Sequence, residues 1–211
     1  MLEMYEMLSR GGIVMIPLLL ISVLALAVVI ERALFLRTSR ILKPHVVKLI
    51  SRIEKPEEAE MALSQLKDEE GPFLNIMRAG LEKRTQPRDE IKEAILDQGR
   101  QETHALEKGL VILETIAGIA PLLGLLGTVL GMIKVFQVIS EQGLGQTQLL
   151  SGGISEALIT TVVGLSIAIP TLVAYNYFTH KVERLVLEIE KHSSHLMTKL
   201  ARMRVKEVQS A

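Results

Sequence analysis

Residues 152–178 read GGISEALITTVVGLSIAIPTLVAYNYF, twenty-seven positions with a single charge, Glu156. As a helix this run advances about 1.5 Å per residue and outreaches the roughly 30 Å hydrocarbon core of a bilayer. Two other stretches qualify: residues 11–30, twenty positions, and residues 115–133, nineteen, neither of them charged. Three transmembrane helices are therefore expected.

The composition of the 211 residues agrees. A hydrophobic share of 48% is ordinary, yet a mean hydropathy of +0.32 beside 23% charged residues means that the two kinds of residue are segregated along the chain. The 24 Lys and Arg balance 24 Asp and Glu, which gives no reason to expect a nucleic-acid partner. No Cys is present, which excludes disulfides, thiolate zinc sites and thiol nucleophiles.

Loops rich in Lys and Arg stay on the cytoplasmic side of a membrane. Residues 31–108 hold fifteen and residues 179–211 hold seven, whereas 1–30 hold one (Arg10) and 134–151 hold one (Lys134). The N-terminus is thus expected outside, with the middle segment and the tail inside. The full expectation is an all-α integral membrane protein in these parts: an outer N-terminus 1–12, transmembrane helices 13–36, 109–136 and 153–178, a small cytoplasmic helical domain 37–108, an outer loop 137–152 and a cytoplasmic helical tail 179–211. Tyr5 and Phe136 fall near outer boundaries, and Phe35, Tyr175, Tyr177 and Phe178 near inner ones, as ring side chains do. A cleaved signal peptide is disfavoured for the first span by Glu3 and Glu6 ahead of it, its length, and Glu31-Arg32 directly after it.

Between the first two spans the chain is charged and helix-prone, broken at Lys43-Pro44, Lys55-Pro56, Gly71-Pro72 and Gln86-Pro87. Proline suits the first turn of a helix, which predicts helices near 57–68, 73–84 and from 87 onward. Ile91, Ile95, Leu106, Leu110 and Leu113 keep helical spacing into the second span, so residues 87–137 are expected as one rod of roughly 75 Å. The tail carries a similar stripe in Val182, Leu185, Ile189, Leu196, Leu200 and Met203. His192 and His195 beside it are weak as metal ligands, lacking carboxylates of matching phase; an amphipathic tail lying on lipid is opposed by Glu183, Glu188 and Glu190.

No Walker-type loop, G-x-S-x-G or H-E-x-x-H occurs, so neither an enzyme acting on a soluble substrate nor any cofactor or metal is expected. The informative residues lie in the later spans. Pro121, Gly124, Thr128 and Gly131 recur at three- and four-residue intervals, and Gly127 with Gly131 forms a GxxxG; Ala157, Thr161, Gly164 and Ala168 make a matching stripe. Small residues on one face let helix backbones approach closely in lipid. Thr128 and Thr161 sit within these faces, either bonding their own i−4 carbonyls or facing a neighbour or a cavity. Glu156 is costly at membrane depth unless used, or else is an interfacial acid favoured by the helix N-terminus. Thr160 follows it by one turn, so a carboxylate and hydroxyls in that order could relay protons or glue helices together. Glu114 reads as a snorkelling boundary residue or an inner proton exit, and Pro170 as a kink or a hinge.

Residues 120–131, APLLGLLGTVLG, and 153–170, GISEALITTVVGLSIAIP, resemble the corresponding helices of the MotA/TolQ/ExbB proton channel family. With the three spans and basic middle segment, the resemblance covers most of the chain and is loose over 37–90. It implies a multi-pass subunit of the bacterial inner membrane that energises outer-membrane transport or envelope work by the proton motive force. The implied assembly is a homo-pentamer around a dimer of a single-span ExbD/TolR-like partner, acting on a TonB/TolA-like protein among membrane lipids, with no nucleic acid. Thr128 and Thr161 match the family's pore-facing threonines and Glu156 its acid in the third span, while Thr160 stands where some relatives carry a small apolar residue. Three spans resemble ExbB and TolQ more than the four-span flagellar stator subunit. The rival class is a homo-oligomeric structural membrane scaffold, in which these residues only join helices; a small-solute transporter is weakened by the lack of an inverted repeat or broken-helix pair.

Overall fold

The computed structural model describes residues 11–67, 69–143 and 147–210, and every regular element among them is helical. In chain order these are α1 (Met15–Phe35), α2 (Thr38–Ile41), α3 (Pro44–Arg52), α4 (Pro56–Gln65), α5 (Pro72–Glu82), α6 (Arg88–Glu107), α7 (Leu110–Gln142) and α8 (Thr147–Ser210). Three helical runs are long and apolar enough to cross a membrane, as the sequence predicts. Glu3, Tyr5, Glu6 and Arg10 lie outside the described residues.

Proline and glycine set the helix limits. Pro44, Pro56 and Pro72 each open a helix, where the missing N–H would have had no helical partner, and Pro87 caps α6. Gly143, at φ 72°, ends α7, and α8 begins at Thr147, so helix reaches well into the stretch 137–152. The expected continuous rod over 87–137 is interrupted at Lys108-Gly109. Gly109 adopts φ 88° and ψ −21°, a left-handed conformation that a right-handed helix cannot carry through.

Two compact units result, one of Met1–Arg32 with Gly109–Tyr177 and the other of Ala33–Lys108 with Phe178–Ala211. In the first, Val14 and, in α1, Met15 and Leu18 are buried against Ile21, Leu123, Leu130, Val163 and Ile167. Around this small core Leu20, Leu122, Leu158 and Ile169 remain more than half exposed. An apolar outer surface of this extent suits lipid rather than water. Arg32 is buried in the same unit, and a Cβ on Gly109 would lie only 3.2 Å from its Nε.

The second unit has a conventional core. Phe73, Leu74, Met77 and Leu81 of α5, Ile91 and Leu106 of α6, and Leu196 of α8 are almost wholly buried. In the predicted tail stripe Val182, Leu185, Ile189, Leu196 and Leu200 are all buried. His192 sits edge-on to Phe73 with ring centroids 5.6 Å apart, and His195 is exposed. Polar contacts close the connections. Glu58 Oε2 accepts from the backbone N–H groups of Glu54 and Lys55 at the start of α4, and Arg78 donates to the carbonyls of Leu66 and Glu69. Lys199 Nζ donates to the carbonyls of Ile50 and Ser51 at the end of α3.

Candidate functional site

The site grows from a glycine seam between α7 and α8. A Cβ on Gly164 would meet the Ala120 carbonyl at 2.6 Å and Gly124 Cα at 3.1 Å; one on Gly131 would meet Ala157 Cβ at 2.8 Å and the Gly153 carbonyl at 2.9 Å. These are backbone-to-backbone approaches that only small residues allow in lipid. Gly127 leaves room for the side chain of Thr160, which is fully buried. Ala168 is buried, Pro121 half-buried and Pro170 exposed.

Thr160 therefore belongs to the seam. Its hydroxyl donates backward to the Ala157 carbonyl at 2.9 Å, with the Glu156 carbonyl at 3.2 Å. Thr161, next in sequence, points about 100° away around the helix and meets Thr128 of α7. The two Oγ1 atoms are in hydrogen-bond contact, 2.5 Å apart. Thr128 Oγ1 also reaches the carbonyls of Ala157 at 3.1 Å and of its own Gly124 at 3.3 Å, while Thr161 Oγ1 reaches the Gly124 carbonyl at 3.2 Å. Two O–H protons thus serve four oxygen atoms. Either Thr161 donates to Thr128 and Thr128 to Ala157, or Thr128 donates to Thr161 and Thr161 to Gly124; hydroxyl rotation exchanges the two patterns. Both residues keep part of their surface accessible.

Glu156 lies one helical stage away, about 7.5 Å along the axis from Thr161. Lys134 Nζ donates to its Oε1 at 2.6 Å and its Oε2 at 2.8 Å. The Glu156 side chain is 18% exposed and that of Lys134 54%, so the pair is open mainly on the lysine side. Gly12 closes the other side. It adopts φ 66°, and a Cβ there would collide with the Glu156 carboxylate. The sequence singles out Glu156 but not its partner, although Lys134 is the only basic residue between the second and third spans.

Other candidates stand apart from this cluster. Glu114 is exposed near the start of α7, and Thr115 bonds its own i−4 carbonyl at Val111. No group of three or more His, Asp or Glu side chains among the described residues is arranged to hold a metal.

A seam of glycines carrying a threonine pair between two of three apolar helices defines a membrane protein with a polar intramembrane site. The chain belongs to the MotA/TolQ/ExbB proton channel family, whose model matches residues 68–191. It is 34% identical to the ExbB-like 3 biopolymer transport protein of Synechocystis, over 80% of this chain and 81% of that protein. It is 28% identical to the Tol-Pal system protein TolQ of Pseudomonas aeruginosa, over 87% of this chain and 86% of that one. Against the ExbB homolog of Methanothermobacter thermautotrophicus identity is also 28%, with 88% of this chain covering 66% of that protein.

Proposed function

We propose that this chain is the channel subunit of an ExbB–ExbD or TolQ–TolR type complex, one that uses the proton motive force across a bacterial inner membrane to drive outer-membrane transport or envelope work. In this reading five copies, each with its N-terminus on the periplasmic face, surround a dimer of a single-span partner. That partner brings the titrating carboxylate and passes movement to a TonB/TolA-like protein. The chain itself performs no reaction on a soluble substrate.

The observation that carries the reading is the Thr128–Thr161 hydroxyl pair, set where residues 115–133 and 157–178 hold no Asp, Glu, Lys or Arg. A hydroxyl pair that can reverse its donor direction can hand a proton along, but it cannot store one at neutral pH. The stored proton needs an acid from elsewhere. Each charge crossing 100 mV releases about 2.3 kcal/mol, enough to shift a few helix contacts and step a central helix round.

The scaffold reading draws on the same geometry, because the two hydroxyls already satisfy each other within one chain. Native mass spectrometry of the protein extracted with its lipids separates the two. Five copies of the 23.4 kDa chain with two of a small single-span protein are expected. A homo-oligomer that never carries such a partner would overturn the channel reading in favour of the scaffold.

A further inference from the structure

In the second compact unit the start of α4, the residues directly after α5 and the far part of α8 border a cavity of about 40 Å³, room for a few waters or one tetrahedral oxyanion. Ala59 and Leu200, both buried, supply its apolar side. Its polar side chains are Arg84, Thr85 and Arg204, and no acid is among the lining residues. Two arginines, charged at any physiological pH, thus border one small space, an arrangement that is costly without a counter-charge.

Neither arginine is well supplied with acceptors. Arg204 is half-buried and makes no hydrogen bond or ion pair with another described residue. Arg84, its side chain 26% exposed, lies 3.8 Å from Glu60 Oε2 and donates to the Leu81 carbonyl at 3.4 Å, both beyond the length of a good hydrogen bond. The surrounding charges add to the positive field. On α4, Glu57 and Glu58 sit about 130° round the helix from the middle of the Pro56–Ala59 face, and Glu58 is already held by the Glu54 and Lys55 amides. Glu60 is the one acid of α4 on the cavity side, and its side chain is 75% exposed. Within a turn of Arg84 stand Glu82, Lys83 and Arg88; Lys199 and Arg202 precede Arg204, and Lys206 and Glu207 after it cancel.

We propose that this cavity binds the phosphate group of a small soluble anion, inorganic phosphate or a phosphate monoester. Arg84 and Arg204 donate to its oxygens, a pairing that guanidinium geometry suits, and Thr85 adds a hydroxyl. The anion displaces Glu60 from Arg84 and ties α4 and the turn after α5 to α8. Arg204 follows Phe178, where the third apolar run ends, by roughly 39 Å along one helix, which puts the phosphates of a bilayer out of reach. The inference does not depend on the channel reading.

Equilibrium dialysis of radiolabelled inorganic phosphate against the full-length protein in nanodiscs, with chloride in excess, tests it. Saturable binding of one phosphate per chain is expected, several-fold weaker in Arg84→Gln and in Arg204→Gln. Because Glu60 competes for Arg84, Glu60→Gln should bind several-fold more tightly. Nanodiscs with and without phosphatidic acid should bind labelled phosphate equally. Absence of saturable binding, or binding unchanged in Arg204→Gln, overturns the site. Equal or weaker binding in Glu60→Gln removes Arg84 from it and overturns the paired-arginine geometry. Displacement of the label by phosphatidic acid assigns the cavity to a lipid headgroup and overturns the soluble ligand.

Discussion

Lys134 and Glu156 are joined by two hydrogen bonds, 2.6 and 2.8 Å long, that tie the last turns of α7 to the first turns of α8. With Gly12 packed against the same carboxylate, the ends of all three apolar helices converge on one ion pair. This gives Glu156 a structural task that requires no proton transfer.

A double-mutant cycle tests that task. Lys134→Met and Glu156→Gln should each destabilise the detergent-solubilised protein, and the coupling between them should be about 1 kcal/mol, above the usual value for fully exposed pairs because one partner is largely buried. Additive effects on thermal unfolding would show that the two side chains do not act together. Transport activity that survives in both variants would remove Glu156 from the proton path.

The threonine pair separates packing from transfer. Thr161→Val keeps the shape but leaves the Gly124 and Ala157 carbonyls with one donor fewer, at a cost of about 1 kcal/mol. Coupled activity should be lost while the assembly persists, and Thr161→Ser should restore it. Full proton-driven activity in both Thr128→Val and Thr161→Val would refute the role proposed for the pair.

The seam predicts a sharp contrast between two glycines. Gly164→Leu drives a side chain into the Ala120 carbonyl and Gly124 and should cost about 1–3 kcal/mol or abolish folding. Gly118→Leu, on a face of α7 where a Cβ meets nothing, should be tolerated. Comparable expression and thermal stability of the two would mean that α7 and α8 are not in close contact along this seam.

Acid should loosen the second unit. Lys43 and His45 hydrogen-bond Glu69 and hold its carboxyl below the ordinary value of 4.5, and the Glu54 and Lys55 amides do the same for Glu58. A depressed folded value stabilises the fold above pH 4.5, and that contribution disappears as the pH falls through the lower folded value. Glu69→Gln and Glu58→Gln should therefore lose less stability than the parent between pH 5 and 3, read by hydrogen exchange in α3 and α4. An unchanged acid limb would mean that these contacts do not persist in solution.

Much of this was legible along the chain, for identifiable reasons. The three spans follow from uninterrupted apolar length, and the helix starts at Pro44, Pro56 and Pro72 follow from proline's fixed φ and missing N–H. The tail's buried face follows from helical spacing. The break at Gly109 was not legible, because a lone glycine within a helical pattern is usually tolerated there.

Sequence by itself determined what each helix is made of: its apolar length, its stripe of small residues, and the hydroxyls and acid set within that stripe. These are properties of one helix, fixed by composition and a 3.6-residue period. Only the tertiary structure decided which neighbour each residue meets. It turned Thr160 into the Gly127 notch and Thr161 toward Thr128, a 100° difference between adjacent positions that composition does not distinguish. It also gave Glu156 its partner in Lys134, because partner choice depends on where two backbones cross, and in lipid that crossing is set by how closely glycine lets them approach.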